Sequence, residues 1–315
     1  MGLYPQHNIY GGAAGIAAAD DGAPLSYTVE AEQGPVGLRY FAPPEPLCAY
    51  FGSLYIFSVS SPGYADFTRA DVPQLRFRLQ GRGGHYIFQD GMTMPTPEVC
   101  LLGPTFGATR FQLEQPTRVL GISLLPAGWM ALYGDEASGM ADSAFDMVSS
   151  DAGYGLLLQS LRQLDDPDAM ASRCWSFLQE RIKPLPDAVR AMLETVDGWL
   201  MDEGSPRLET LVERTGLSAR HLARITNRYY GAPPKLLARK YRALRCSARI
   251  ALDRESWQVL CDEGGFYDQS HFIREIKRFI GLTPQQLQNE PSAVAQLTLL
   301  RRSLGGDVAV INRMS

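Results

Sequence analysis

The chain has 315 residues, of which 45% are hydrophobic, with 30 basic and 34 acidic side chains and a formal charge of −4. That length suits two domains with separate cores, and the composition is that of a globular chain, not a disordered, collagenous or disulfide-rich one. The five cysteines (Cys48, Cys100, Cys174, Cys246, Cys261) are scattered and never spaced as CxxC, which argues against a disulfide framework or zinc site and for a reducing, cytoplasmic setting.

Residues 1–33 are rich in Gly and Ala with little periodicity and read as a flexible N-terminal tail, with no basic segment leading an apolar run. The longest apolar run, near Gly121 to Leu132, holds Pro126, so no membrane helix is expected. Residues 34–150 change character: short β-branched and aromatic runs are broken by Gly and Pro. Ser53–Ser60, Gln74–Leu79, His85–Phe88, Glu98–Leu102, Thr109–Leu113 and Arg118–Leu125 read as strands. Many short strands without helices between them imply a β-barrel or sandwich. Gly81-Arg82-Gly83-Gly84 is a glycine turn, since no Lys-Ser/Thr and no helix follow it. This half offers His7 and His85 only, too few for a clustered metal site, and no Ser/His/Asp order or GxSxG. No catalytic residue, metal or cofactor is therefore expected. Tyr55, Phe57, Arg76, Phe77, Arg78, His85 and Tyr86 could line a barrel interior, half of them facing outward if the strands alternate.

From residue 126 the pattern turns helical. Tyr154–Leu164 and Ala169–Ile182 form a connector hairpin within 151–185, broken by Asp165-Asp166-Pro167-Asp168 and suited to packing on the barrel or to dimerisation. Lys183-Pro184-Leu185-Pro186 is a semi-rigid linker. Asp187–Met201 and Arg207–Arg214 follow as helices, then Ser218–Tyr230, with Ser218 as N-cap, Gly231 as stop and Leu222, Ile225 and Tyr229 on its apolar face. Pro233-Pro234 opens a helix of roughly Lys235 to Asp253. Residues 291–315 read as a C-terminal tail.

Charge is unevenly spread. Residues 1–185 carry 11 basic and 19 acidic side chains, and residues 186–290 carry 16 and 14. Between Ser218 and Ile250 stand nine basic residues and no acid, which points to a polyanionic partner. Arg220, Arg224 and Arg228 are spaced by four and share one helix face. Much of this stretch recurs 50 positions later: His221-Leu222-Ala223-Arg224 falls on His271-Phe272-Ile273-Arg274, Arg228 on Arg278, Gly231 on Gly281 and Pro234 on Pro284. Each copy reads helix, glycine turn, capped helix, glycine stop, proline, which is the grammar of a helix-turn-helix.

Residues 186–290 resemble the DNA-binding domain of the AraC/XylS family of bacterial transcription regulators. The second copy carries the match: Leu260-Cys261-x-x-x-Gly265-Phe266-x-Asp268-Gln269-Ser270-His271-Phe272-x-Arg274-x-x-Lys277-x-x-x-Gly281-x-Thr283-Pro284. Cys261 stands where that family usually has Ala, and Ile276 where Phe precedes the Lys. The N-terminal half is similar to the cupin-like domain often found ahead of such a domain, through Pro43-Pro44-x-Pro46-Leu47 and Leu101-Leu102-Gly103-Pro104. The fold expected is α+β: a cupin-like β-barrel or sandwich with a helical hairpin, then an all-α domain of two helix-turn-helix motifs joined by a linker helix.

By the family pattern, Arg220, Ala223, Arg224, Asn227, Gln269, Ser270, Ile273 and Arg274 face base edges, and Arg228, Lys235, Arg239, Lys240, Lys277 and Arg278 face phosphates. Asp268 is the cap of the second recognition helix. Leu222 and Phe272 are core, and His221 and His271 cap or sit exposed. The resemblance implies double-stranded DNA as partner, no membrane, and a sequence-specific transcription regulator controlled by a small molecule in the barrel, with RNA polymerase and a second copy of the chain as further partners. Two other readings stay open: a cupin-type metal-dependent enzyme fused to a DNA-binding domain, and a nucleoid or RNA binder without a specific site.

Overall fold

The computed structural model describes residues 28–202, 206–263, 265–304 and 308–314. His7, Ala13–Ala19 and most of the expected tail lie outside the described residues, as does Gly264. The strands are β1 (Thr28–Gln33), β2 (Val36–Phe41), β3 (Phe51–Val59), β4 (Ala65–Thr68), β5 (Gln74–Gln80), β6 (His85–Ile87), β7 (Thr93–Pro95), β8 (Val99–Leu102), β9 (Thr109–Gln112), β10 (Thr117–Leu124) and β11 (Ala144–Asp146). β1 lies within the stretch expected to be tail. It pairs with β2 from Thr28↔Phe41 to Gln33↔Val36, about a turn in which Gly34 takes a φ of 56°. β11, inside the stretch expected to be helical, pairs with β8.

The strands form two antiparallel sheets. The seven-stranded one runs β1-β2-β3-β10-β5-β8-β11, and the four-stranded one β4-β9-β6-β7. Strand alternation divides the large sheet's side chains between two cores. Leu54, Ile56, Leu75, Phe77, Leu101, Leu120 and Ile122 join the helices on one side. Leu38, Tyr40, Tyr55, Cys100 and Leu102 meet Tyr86 and Phe111 of the small sheet on the other. Every residue of β8 is buried, which is why it reads as a continuous apolar run and not an alternating one.

The helices are α1 (Pro126–Leu132), α2 (Ala152–Leu161), α3 (Pro167–Gln179), α4 (Asp187–Met201), α5 (Leu208–Thr215), α6 (Ala219–Tyr230), α7 (Pro234–Ala251), α8 (Trp257–Glu263), α9 (Gln269–Ile280), α10 (Pro284–Asn289), α11 (Ala293–Leu299) and α12 (Val310–Met314). α2 and α3 are the expected hairpin, started by the Asp151 and Asp166 carboxylates, which accept main-chain N–H bonds of the first turns. They pack on the large sheet, with Trp175 against Phe51 at 6.0 Å between rings.

The expected C-terminal tail is part of the β domain's packing. α11 and the 3-10 turn Leu300–Ser303 pack against β1, β2 and β4. Arg301 is buried and pairs with Asp71 at 2.8 Å. Asn312 is fully buried and accepts from the Ser53 N–H at 2.8 Å. Those partners lie about 230–260 residues upstream, so nothing local in the sequence announces them.

Candidate nucleic-acid interface

The first motif is α5, a turn at Gly216 and α6. The Ser218 hydroxyl accepts from the His221 N–H, and Gly231 closes α6 in the left-handed region at φ 85°. The buried stripe of α6 is Leu222, Thr226 and Tyr230, while Ile225 and Tyr229, the expected core positions, are half-buried. The stripe turns because the Tyr230 hydroxyl reaches back to α4, 2.6 Å from Asp197 Oδ1 and 3.0 Å from the Leu193 carbonyl. Arg220, Arg224 and Arg228 are exposed on the other side; Ala223 and Asn227 are half-buried beside them. His221 Nε2 lies 3.2 Å from Arg224 and so props that arginine.

The second motif repeats the plan with α8 and α9. The Asp268 carboxylate accepts from the His271 N–H, as expected of the cap, and Gly281 closes α9 at φ 90°. Gln269, Ser270, Arg274 and Lys277 are exposed, and Ile273 is half-buried. His271 Nδ1 accepts from the Tyr267 N–H. Phe272, Ile276 and Phe279 are buried, so Ile276 packs where a larger ring was the family habit, and Cys261 is buried as a small apolar side chain. Tyr267 is 92% exposed directly before the cap of α9. It was not among the sequence candidates, and an aromatic with no apolar partner in the periodic pattern was the only signal for it.

Three phosphate candidates are corrected. Lys240 is buried, and its ammonium donates to the Asp71 carbonyl at 2.6 Å and lies over the Phe106 ring. Arg239 is bidentate on Glu275, at 2.9 and 2.7 Å, and ties α7 to α9. Arg278 donates through Nε to the Phe106 carbonyl. The rest of the basic run is also used internally: Arg242 on the Gly265 carbonyl, Arg245 on the Leu200 carbonyl, Arg249 on Glu255. Among the phosphate candidates, Arg228, Lys235 and Lys277 are exposed.

Both α6 and α9 end against the β domain. A Cβ on Gly231 would stand 2.5 Å from Pro104 Cγ, and one on Gly281 would stand 3.0 Å from Phe67 Cβ. The equivalent glycines of the two copies therefore do two jobs, closing a helix and admitting a neighbouring domain. Main-chain bonds reinforce the second contact, from the Ala70 N–H to the Phe279 carbonyl and from the Ala108 N–H to the Arg278 carbonyl.

Between the two sheets lies a cavity of about 90 Å³. Of the side chains expected inside, Tyr55, Phe57, Arg76, Arg78 and Tyr86 line it. Phe77 instead joins the core on the sheet's other side, and His85 is exposed. Val294, Thr298 and Arg301 of the C-terminal segment line it as well. Among the described residues no cluster of three or more His, Cys, Asp or Glu could hold a metal ion, and no helix is long and apolar enough to cross a membrane.

Residues 211–290 match the family described as helix-turn-helix domain. A 127-residue stretch is 30% identical to the invasion protein InvF of Salmonella typhi, covering 37% of this chain and 59% of that protein. InvF of Salmonella typhimurium gives the same figures. Residues 211–290 are thus a helix-turn-helix domain. The chain spans about three fifths of the curated relatives it matches. Among solved structures it is similar to ToxT from Vibrio cholerae, with a TM-score of 0.42 and 10% identity over 75% of this chain and 97% of that one. It is also similar to oxalate decarboxylase of Bacillus subtilis, with a TM-score of 0.26 and 10% identity over 34% and 30%. Likenesses at this level do not decide function. Within this domain, α6 and α9 are the second helices of the two helix-turn-helix motifs and α7 joins the motifs.

Proposed function

We propose that the chain is a sequence-specific, DNA-binding transcription regulator whose β domain senses a small molecule. One observation carries the reading: two helices at equivalent repeat positions, each capped and each ending on a left-handed glycine, expose Arg220 and Arg224 on one and Gln269, Ser270 and Arg274 on the other. Arginine reads guanine O6 and N7 bidentately in the major groove, and Gln pairs with adenine in the same way. Arg228 and Lys277 lie in the last turns of these helices and Lys235 in the first turn of α7, where phosphates would be met. Two such helices fixed by one linker helix would enter successive major grooves about 34 Å apart.

Regulation would work by population shift, a ligand favouring one arrangement of β domain and DNA-binding domain over another. The contacts at Gly231, Gly281 and Lys240 are the joints such a shift would move. The cytoplasm is the compartment this reading implies, and RNA polymerase and a second copy of the chain are partners it can accommodate. The test is a footprint on DNA recovered by genome-wide mapping of bound sites. Protection of about two helical turns at a defined sequence supports the reading. Uniform, salt-sensitive coating without a preferred site would leave a non-specific binder.

A further inference from the structure

We infer that the β-domain cavity takes a small organic monoanion, a carboxylate of a few carbon atoms bound on Arg76, and that its occupancy is relayed to the linker helix. The inference rests on the sensing role proposed above and names its ligand class.

Arg76 projects from β5 into the cavity wall. Its Nε lies 2.9 Å from the Tyr55 hydroxyl and 3.0 Å from Gln74 Oε1, one terminal nitrogen lies 3.0 Å from the Tyr86 hydroxyl, and the other lies 2.7 Å from Gln74 Oε1. All of these acceptors are neutral. The next cation along β5, Arg78, likewise donates to the Thr96 hydroxyl and to the Thr96 and Pro97 carbonyls. Arg301, by contrast, has the Asp71 carboxylate. The phenols and the amide hold the Arg76 guanidinium by hydrogen bonds without neutralising its charge, and an anion is the partner that would neutralise it. Burial pushes the Tyr86 and Tyr40 phenols up to about 12, so they stay protonated. A protonated phenol can donate to a carboxylate as well as accept from Arg76.

The rest of the wall sets the ligand's body. Leu38, Phe57, Phe111 and Val119 offer hydrocarbon, while the other guanidinium groups on the wall already hold partners: Arg78 the Thr96 and Pro97 oxygens, Arg69 the Thr298 carbonyl, and Arg301 the Asp71 carboxylate, which lines the cavity too. A wall that carries its own carboxylate disfavours a dianion and suits one charged end on a short apolar stem. The volume of about 90 Å³ lies below the roughly 150 Å³ that holds a benzene ring, so the stem is short.

The same hydrogen bonds lead outward. Gln74 accepts from Arg76 and donates through Nε2 to Asp71 Oδ2 at 2.6 Å. The Asp71 carbonyl accepts from Lys240 of α7. An anion that draws Arg76 off Gln74 thus perturbs a chain of bonds ending between the two DNA-reading motifs.

The experiment is calorimetric titration of the full-length chain, without DNA, with propionate, 1-propanol, octanoate and inorganic phosphate. Propionate should bind saturably and raise the unfolding temperature with its concentration, while 1-propanol and phosphate do neither. Arg76→Gln should weaken propionate roughly tenfold or more, the loss of a charge-assisted pair. Val119→Phe, which fills the cavity and keeps Arg76, should abolish it, and so covers the case in which Arg76→Gln fails to fold. Absent propionate binding, equal binding of 1-propanol or phosphate, or undiminished propionate binding by both variants overturns the proposal. Octanoate binding more tightly than propionate overturns the short stem. Because no DNA is present, a chain that footprints DNA but ignores propionate fails this inference alone, whereas one that binds propionate but no defined site fails the DNA reading alone.

Discussion

The ammonium of Lys240 lies 2.6 Å from the main-chain carbonyl of Asp71, so the helix between the two helix-turn-helix motifs is pinned to the β domain by a buried cation. Burial lowers the Lys240 pKa from 10.5 to about 8, against the opposing pull of Asp71 and Asp142. The sign follows from the proton count. Between pH 8 and 10.5 the unfolded chain holds a proton that the folded chain has lost, so stability from this group rises with pH. Below pH 8 the full cost of roughly 3 kcal/mol is present. Lys240→Met keeps the packing on Phe106 and Tyr241 and should abolish the rise, leaving a variant at least as stable as the parent at pH 7. Urea unfolding at pH 7 and 9.5 measures both; a variant less stable at pH 7 contradicts the account.

Arg301 and Asp71 make the opposite case, a buried pair whose halves depend on each other. Their side chains are 2% and 10% exposed. Arg301→Met strands a carboxylate and should cost about 3–5 kcal/mol. Adding Asp71→Asn should return much of that loss. A double-mutant cycle in urea with no coupling between the two positions would show that the pair does not hold the C-terminal segment.

Asp197 predicts a pH dependence of the other sign. Burial raises its pKa to about 7, opposed by the Tyr230 hydroxyl and aided by Glu194. A protonated Asp197 can donate to Tyr230 while Tyr230 donates to the Leu193 carbonyl, which satisfies all three groups. The folded chain therefore holds a proton that the unfolded chain releases near pH 4, and stability falls as pH rises from 4 to 7. Asp197→Asn should match the parent near pH 4 and exceed it at pH 8. Parallel pH–stability curves for the two proteins would refute this.

At the DNA face, Arg224→Ala and Arg274→Ala should each cost about 1–3 kcal/mol on the mapped site and much less on random duplex. Lys235→Ala and Lys277→Ala should weaken both DNAs alike and flatten the salt dependence by about one ion each. Lys240→Met should leave the salt slope alone. Titrations on both DNAs over a series of salt concentrations separate the three classes, and an equal loss on both DNAs for the two arginines would remove them from base reading.

The capped helices of the second motif were legible because their punctuation is local: Asp268, Gly281 and Thr283-Pro284 act within one turn of where they stand. The basic run was half misread. Exposed and buried cations look alike in a sequence, and Arg239, Lys240, Arg242, Arg245 and Arg249 are spent on Glu275, Asp71, Gly265, Leu200 and Glu255. The face of α6 was misplaced because Thr226, a polar residue by type, is fully buried there. The cavity was legible in part: alternation put Arg76 and Arg78 on one side of β5 and Phe77 on the other, but could not say which side was hollow. Strands β1, β2, β4, β7 and β11 were missed, three of them only three or four residues long and too short for a period to show.

Ser53 and Asn312 meet in the interior although 259 positions separate them. A ribosome must therefore add 259 residues after Ser53 before the first sheet receives its last wall, and closing so long a loop is slow. Until then the sheet's unfinished side is open to solvent and to the wrong neighbours. Damage near residue 301 or 312 should accordingly be felt first in the β domain, around Asp71 and Ser53, and not in the neighbouring helices α8–α10.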